Sequence, residues 1–437
     1  MGRRVFLSIL GAAFYEKCSY QKEDFKSSEA LFVQKSLLEY LCQKENWGKE
    51  NDEVLMFLTD LARQNNWNHD IKMRLCPKLQ KEVPYVGLEK YLQSMALSYR
   101  AVSIPDGKDS EQMWEIFEVI YGQLQEGDEL YIDITNSFRY LPMLLVILVN
   151  YAKMLKHVSV KAIYYGNYEA RNKETNVAPI MDLLPLSVLQ DWTVAASDYL
   201  NYGQMQKLFN LTESSVIPIL RDPSTRTRDV ELLRSFVTKL KELVEERSTC
   251  RGQAIIKSKI LGKLEKSACD IQKVAIVQLK PIFEKIKESL KDFDAKENVL
   301  NCIKAARWCF DNKLYQQATT LLLEGLVTFL CCHFGVDYMD KEQRGVITSC
   351  IYLKTRKKEQ DDYDDSKGDV NSETMSMVLA DDVIWSNKEF VHTLQQIMEM
   401  RNDYNHAGFN KDAKDSKHII QKIEELMNNV EVILGKI

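Results

Sequence analysis

Between residues 3 and 166, short and nearly uninterrupted apolar runs alternate with stretches of helical spacing, and after about residue 186 the runs stop. The runs are VFLSILG (5–11), EVLMFLT (53–59), DELYIDIT (128–135) and VSVKAIYYG (158–166). Strands buried on both faces of a parallel sheet need continuous apolar residues rather than strict alternation. The segments 29–43, 60–67, 109–126 and 139–156 between them carry apolar residues at helical spacing, which predicts a doubly wound α/β domain with a parallel-type sheet over residues 1–190. Residues 191–437 read as all-helical, with clear periodicity in 229–246, 274–293, 314–334 and 387–406. Pro281 is expected to kink or break the 274–293 segment.

Composition narrows the class. A chain of 437 residues exceeds what one core usually serves, so two domains are expected. The longest apolar stretch, Leu141 to Val149, is about half of the roughly 20 residues a spanning helix requires. MGRRVFLSILG regains polarity within a few residues and has no small-residue cleavage site, so it reads as a buried first strand rather than a leader. Ten cysteines, single except for Cys331 and Cys332, form no C-x-x-C or zinc spacing, which fits reduced thiols in a cytoplasmic protein without metal. A net charge of −5 excludes a general polyanion binder, so any RNA contact is local.

The polar stretch 355–374 reads as a mobile insertion. Its acidic core is not a calcium loop: with Asp362, Asp364 and Ser366 as ligands, Lys367 stands where glycine is required, and no glutamate closes the loop.

The most informative local feature is MRNDYNHAGF (400–409). Asn387 as N-cap and Gly408 as C-cap predict one helix from Lys388 to about His406. Its apolar stripe of Phe390, Leu394, Ile397 and Met398 continues onto Arg401 and Asn402, then Asn405 and His406, so polar chemistry is expected to interrupt a buried face. Arginine holds a phosphate through five fixed donors, and histidine moves protons near neutrality. Together they supply what RNA cleavage by its own 2'-hydroxyl needs, with no metal. The same spacing also suits a solvated face, with Arg401 paired to Glu399 or Asp403 and His406 at the negative helix end.

Two loops at the carboxyl ends of strands invite a ligand. The first is Gly11, Ala12, Ala13, Phe14 and Tyr15; the second, DITNSFRYLP (133–142), offers Thr135, Asn136 and Ser137 as donors and Arg139 as a cation near a helix start. Simple capping by Ser137 is the alternative there.

RNDYNH resembles the R-x4-6-H signature of HEPN ribonucleases, and DITNSFR resembles the D-x-[ST]-x-[ST]-x-R motif of Rossmann-like CARF sensors. As a pair they resemble the CARF-HEPN auxiliary ribonucleases of type III CRISPR systems, although residues 205–300 and 355–374 match no motif. The resemblance implies a CARF pocket lined by Gly11 to Tyr15, Thr135 to Ser137 and Arg139, with Tyr165, Gly166 and Asn167 as further candidates. It implies an allosteric cyclic oligoadenylate, cyclic tetra-adenylate first among them, and no other cofactor. It also implies a homodimer or higher even oligomer whose paired Arg401, Asn402 and His406 cut single-stranded RNA to a 2',3'-cyclic phosphate, without stable attachment to the CRISPR effector.

Other classes remain beside it. A non-catalytic sensor or transcriptional regulator would use the helical half for dimerisation. A metal-dependent DNase would need an E-x-K that does not follow Pro105-Asp106, and a dinucleotide oxidoreductase would need an absent G-x-G-x-x-G turn.

Overall fold

The computed structural model describes residues 2–68, 71–77, 80–136, 140–224, 226–271, 279–356, 372–409 and 413–435. They form two compact units, Met1–Val188 and Leu189–Ile437.

The first unit is built on ten strands: β1 Arg4–Leu10, β2 Ser19–Lys22, β3 Phe25–Lys26, β4 Asp52–Leu58, β5 Lys72–Cys76, β6 Lys81–Tyr85, β7 Tyr99–Ser103, β8 Glu129–Asp133, β9 Ser159–Gly166 and β10 Val177–Asp182. Among the described residues, eight of them join one sheet in the order β3-β2-β10-β9-β8-β1-β4-β7, with β5 and β6 as a separate hairpin. The centre from β9 to β7 is parallel, while β10 runs antiparallel to β9 and β3 antiparallel to β2. The expected parallel α/β domain is present, with an antiparallel rim added.

Two apolar layers explain the uninterrupted runs. Val5, Leu7 and Ile9 of β1 face a core shared with Ile116, Ile120, Leu144 and Leu148. Phe6 and Leu10 face the opposite core, with Leu37, Leu41 and Leu88. Those partners lie on helices α1 Val33–Lys44, α3 Leu88–Ser94, α4 Ser110–Gln123 and α5 Leu141–Leu155, with the short α2 Asp60–Ala62 between them. The expected helix over 60–67 is instead one α-turn followed by a π-turn over Arg63–Trp67. The two arginines of MGRR hold the amino end of β1: Arg3 pairs with Glu53 at 2.7 Å and Asp128 at 2.6 Å, and Arg4 pairs with Asp52.

Topology sets the location of a site. Within the parallel centre, β4 and β7 lie on one side of β1 and the later β8 and β9 on the other. Loops from neighbouring β1 and β8 therefore diverge, and such a switch point opens a crevice at the strands' carboxyl ends.

The second unit is all-helical among the described residues. Leu321, Leu326 and Leu330 of helix Tyr315–His333, Ile347 and Ile351 of Lys341–Arg356, and Leu426 and Val430 of Ser416–Leu434 share one core with Phe390, Leu394 and Ile397 of helix Lys388–Asn405. Among the described residues Pro281 stands at a helix start, in keeping with a break of the segment rather than a kink. It occupies the first turn of helix Lys280–Glu288, where its missing N–H has no intrahelical partner to lose. The expected insertion at 355–374, including its acidic core, lies mostly outside the described residues.

Candidate functional site

The crevice is a cavity of about 530 Å³. Ala13, Phe14, Tyr15 and Glu16 line it from the loop after β1, Thr135 and Asn136 from the loop after β8, and Tyr165 and Gly166 from the end of β9. Gly11 and Ala12 sit behind this wall, their carbonyls accepting from Asn66 Nδ2 at 2.7 Å and Asn65 Nδ2 at 3.1 Å. Asn167 caps the 3-10 turn Tyr168–Ala170 by accepting from the Ala170 N–H at 3.2 Å. Ser137 and Arg139 lie outside the described residues.

A buried carboxylate shapes the second loop. Asp133 ends β8 opposite Ser8 of β1, whose hydroxyl donates to its Oδ2 at 2.7 Å. The Thr135 N–H donates to Asp133 Oδ1 at 2.9 Å, which folds the chain back just after the strand. Thr135 Oγ1 in turn accepts from the Gly166 N–H at 2.8 Å, tying the loop to β9. Gln34 of α1 completes the set by donating to Ser8 Oγ at 3.1 Å. Burial pushes the Asp133 carboxyl above its ordinary range despite these donors.

Two glycines keep the walls close. A β-carbon on Gly11 would lie 2.4 Å from the Tyr15 hydroxyl, and one on Gly166 would lie 2.4 Å from Val33 Cγ2 and 2.9 Å from Tyr20 Cε1. Only a bare backbone fits at either position.

The turn after β9 carries residues that sequence reading did not single out. Tyr168, Glu169 and Arg171 line the cavity beside Tyr20. The Tyr168 hydroxyl donates to Glu16 Oε2 at 2.7 Å, and the Arg171 guanidinium lies 3.9 Å from the Tyr168 ring centre. Burial, and then the Glu16 carboxylate, push the Tyr168 phenol up to about 12, so it remains a donor at neutral pH. The signal for these residues was present only as aromatic density, in YYGNYEAR (164–171).

These cavity walls coincide with a family match. Residues 5–169 match the family described as CRISPR system endoribonuclease Csx1, CARF domain. The first unit is thus similar to a CARF domain of CRISPR-associated proteins. It is also 27% identical over 249 residues to the CRISPR-associated protein MJ1674 of Methanocaldococcus jannaschii, an alignment covering 56% of this chain and 36% of the relative. The chain thus spans little more than a third of that curated relative's length. The CARF cavity lies where the β1 and β8 loops diverge, as the topology requires.

The second candidate site is the end of helix Lys388–Asn405 in the helical unit. Asn387 caps its start by accepting from the Phe390 N–H at 3.0 Å, and Ala407 and Gly408 reverse the chain with φ of 52° and 69°. Phe390, Leu394 and Ile397 are buried, but Arg401 is half-buried and Asn402, Asn405 and His406 are exposed. The expected interruption of a buried face is therefore corrected: the helix outruns its core by its last turn, and the motif stands at the surface. With the Asn405 amide turned oxygen-first, Arg401 Nε and Nη1 both donate to it at 3.2 Å. Glu399 accepts from Gln395 at 3.0 Å. Tyr404 leans into the core, and burial pushes its phenol up to about 12. Phe409, three residues past His406, is 91% exposed.

Among the described residues no group of His, Cys, Asp and Glu is arranged to hold a metal ion, and no helix is long and apolar enough to cross a membrane.

Proposed function

We propose that this chain is a cyclic-oligoadenylate-activated, metal-independent endoribonuclease acting on single-stranded RNA in type III CRISPR antiviral defence. The observation that carries the reading is one chain holding both a CARF cavity at a topological switch point and an R-x4-H motif on an exposed final helical turn.

The sensing half takes cyclic tetra-adenylate across Ala13 to Tyr15, Thr135, Asn136, Tyr165 and Gly166, with Gly11, Ala12 and Asn167 shaping the walls and Ser137 and Arg139 completing the second loop. The cutting half acts as a homodimer, in which Arg401, Asn402 and His406 of two copies converge on one phosphodiester. A base removes the 2'-hydroxyl proton, the 2'-oxygen attacks phosphorus, and the P–O5' bond breaks as an acid protonates the leaving 5'-oxygen. The products are a 2',3'-cyclic phosphate and a 5'-hydroxyl. His406 moves the proton and Arg401 stabilises the charge that builds on the phosphoryl oxygens.

Exposed apolar surface supports a second copy in both units. Helix α5 turns Met143, Ile147, Tyr151 and Met154 to solvent along one stripe, and Phe409 stands bare beside the motif. A ligand that favours the active dimer shifts its population from 1:99 to 99:1 with about 5.5 kcal/mol of differential binding. The enzyme works in the cytoplasm without stable attachment to the CRISPR effector.

A fluorogenic RNA assay with cyclic tri-, tetra- and hexa-adenylate side by side, in excess EDTA, tests the reading. Strong stimulation by one ring, undiminished by EDTA, is expected. Absence of cleavage with every ring would leave the sensor without an RNase output.

A further inference from the structure

The charges on the described cavity wall are arranged against a purely phosphate-binding role. Glu16 and Glu169 face the same space as a single described cation, Arg171, so phosphates are repelled from this end. Carboxylates instead accept hydrogen bonds from amino groups, such as the exocyclic amine that adenine carries at N6 and hypoxanthine lacks. The remaining wall is aromatic: Phe14, Tyr15, Tyr20, Tyr165 and Tyr168. Bases stack on tyrosine rings and on guanidinium planes alike.

The Tyr168 turn joins these properties. The Arg171 guanidinium carbon lies 3.9 Å from the Tyr168 ring centre, and its Nη1 donates to the Tyr168 carbonyl at 3.2 Å, which holds the group beside the ring. The Tyr168 hydroxyl holds the Glu16 carboxylate at 2.7 Å across 152 residues of sequence. A carboxylate has about four acceptor positions, so Glu16 can serve several partners at once.

We propose that the Tyr168–Arg171 pair is the platform on which one base of the activator stacks, and that Glu16 selects adenine by accepting its exocyclic amine. The inference rests on the sensing role proposed above and adds to it the recognition of the base. Phosphates then belong at the opposite end, toward the loop after β8.

Binding of cyclic tetra-adenylate and of the matching tetra-inosine ring to the full chain tests this by calorimetry. Hypoxanthine replaces the amine with an oxygen acceptor, which faces the carboxylate unfavourably. The wild type is expected to bind the adenine ring at least about fivefold more tightly. Glu16→Gln, nearly isosteric and able to donate as well as accept, is expected to reduce that preference below about twofold. Arg171→Ala is expected to weaken both rings by roughly 5- to 150-fold, the range for losing a stacked base. Arg171→Lys keeps the charge but not the plane and is expected to behave like Arg171→Ala. Equal binding of the two rings by the wild type, an undiminished preference in Glu16→Gln, or wild-type affinity in Arg171→Lys would each overturn the base-recognition inference while leaving the sensing role intact. A wild type that binds neither ring overturns the base-recognition inference together with the choice of cyclic tetra-adenylate as activator.

Discussion

Asp133 has the most demanding environment of any described side chain in the CARF cavity region. It is fully buried, yet its carboxyl organises the Thr135 backbone and the Ser8 hydroxyl. Because burial raises its folded-state pKa, the protonated form is the one the fold prefers. Its contribution to stability is complete below the unfolded value of about 3.9 and falls as pH rises through the raised folded value. Asp133→Asn removes that titration. Its amide nitrogen can donate to Ser8 Oγ in place of the bond that Ser8 now donates to the carboxyl. Thermal unfolding between about pH 4 and pH 8 should therefore show the wild type losing ground to the variant as pH rises. Parallel curves would mean that Asp133 does not titrate in this window. At this scale the loops after β1 and β8 were legible because small and hydroxyl residues follow apolar strands. Glu16, Tyr168 and Arg171 were not, because their relation is a fold contact between distant segments that no local spacing encodes.

Among the elements, α5 is the most informative. LPMLLVILVNYAKML is apolar on nearly every side, and one face packs Leu144, Leu145 and Leu148 against the sheet while the other leaves Met143 66% and Ile147 56% exposed. A helix hydrophobic all round belongs in an interior, and the proposed second copy would supply it here. Ile147→Lys should convert the proposed dimer to a monomer by light scattering, with monomer stability changed by no more than about 0.5 kcal/mol, as for other surface substitutions. An unchanged mass would place the dimer contact elsewhere. The strands β1, β4, β8 and β9 were readable from continuous apolar runs. By contrast, β7 (YRAVS) and β10 (VAPIMD) mix polar and apolar residues because each is less completely covered, so they lacked that signal. Helix Lys388–Asn405 was readable from its cap and stripe, but the exposure of its last turn depends on where neighbouring helices end, which periodicity does not report.

On the scale of the whole molecule, the residues proposed to sense and those proposed to cut fall in separate units. His406→Ala should therefore lower activator-stimulated RNA cleavage by roughly 10²- to 10⁴-fold, the usual range for losing general acid-base help. Affinity for cyclic tetra-adenylate should stay within about twofold of wild type, since His406 belongs to the other unit. Cleavage at the wild-type rate would exclude His406 from proton transfer. The fold class was legible because two different hydrophobic periods divide the sequence near residue 186, whereas assembly is set by surfaces whose partner is not written in one chain's pattern.

The hydrogen bonds that set the second loop's path run inward, from Thr135 to Asp133 and on to Ser8 and Gln34, while Glu16, Tyr168 and Arg171 look outward. Scaffold and proposed selectivity are thereby carried by different side chains. A lineage under pressure from changing signal molecules can rewrite the outward set, substitution by substitution, while inheriting the inward set unaltered.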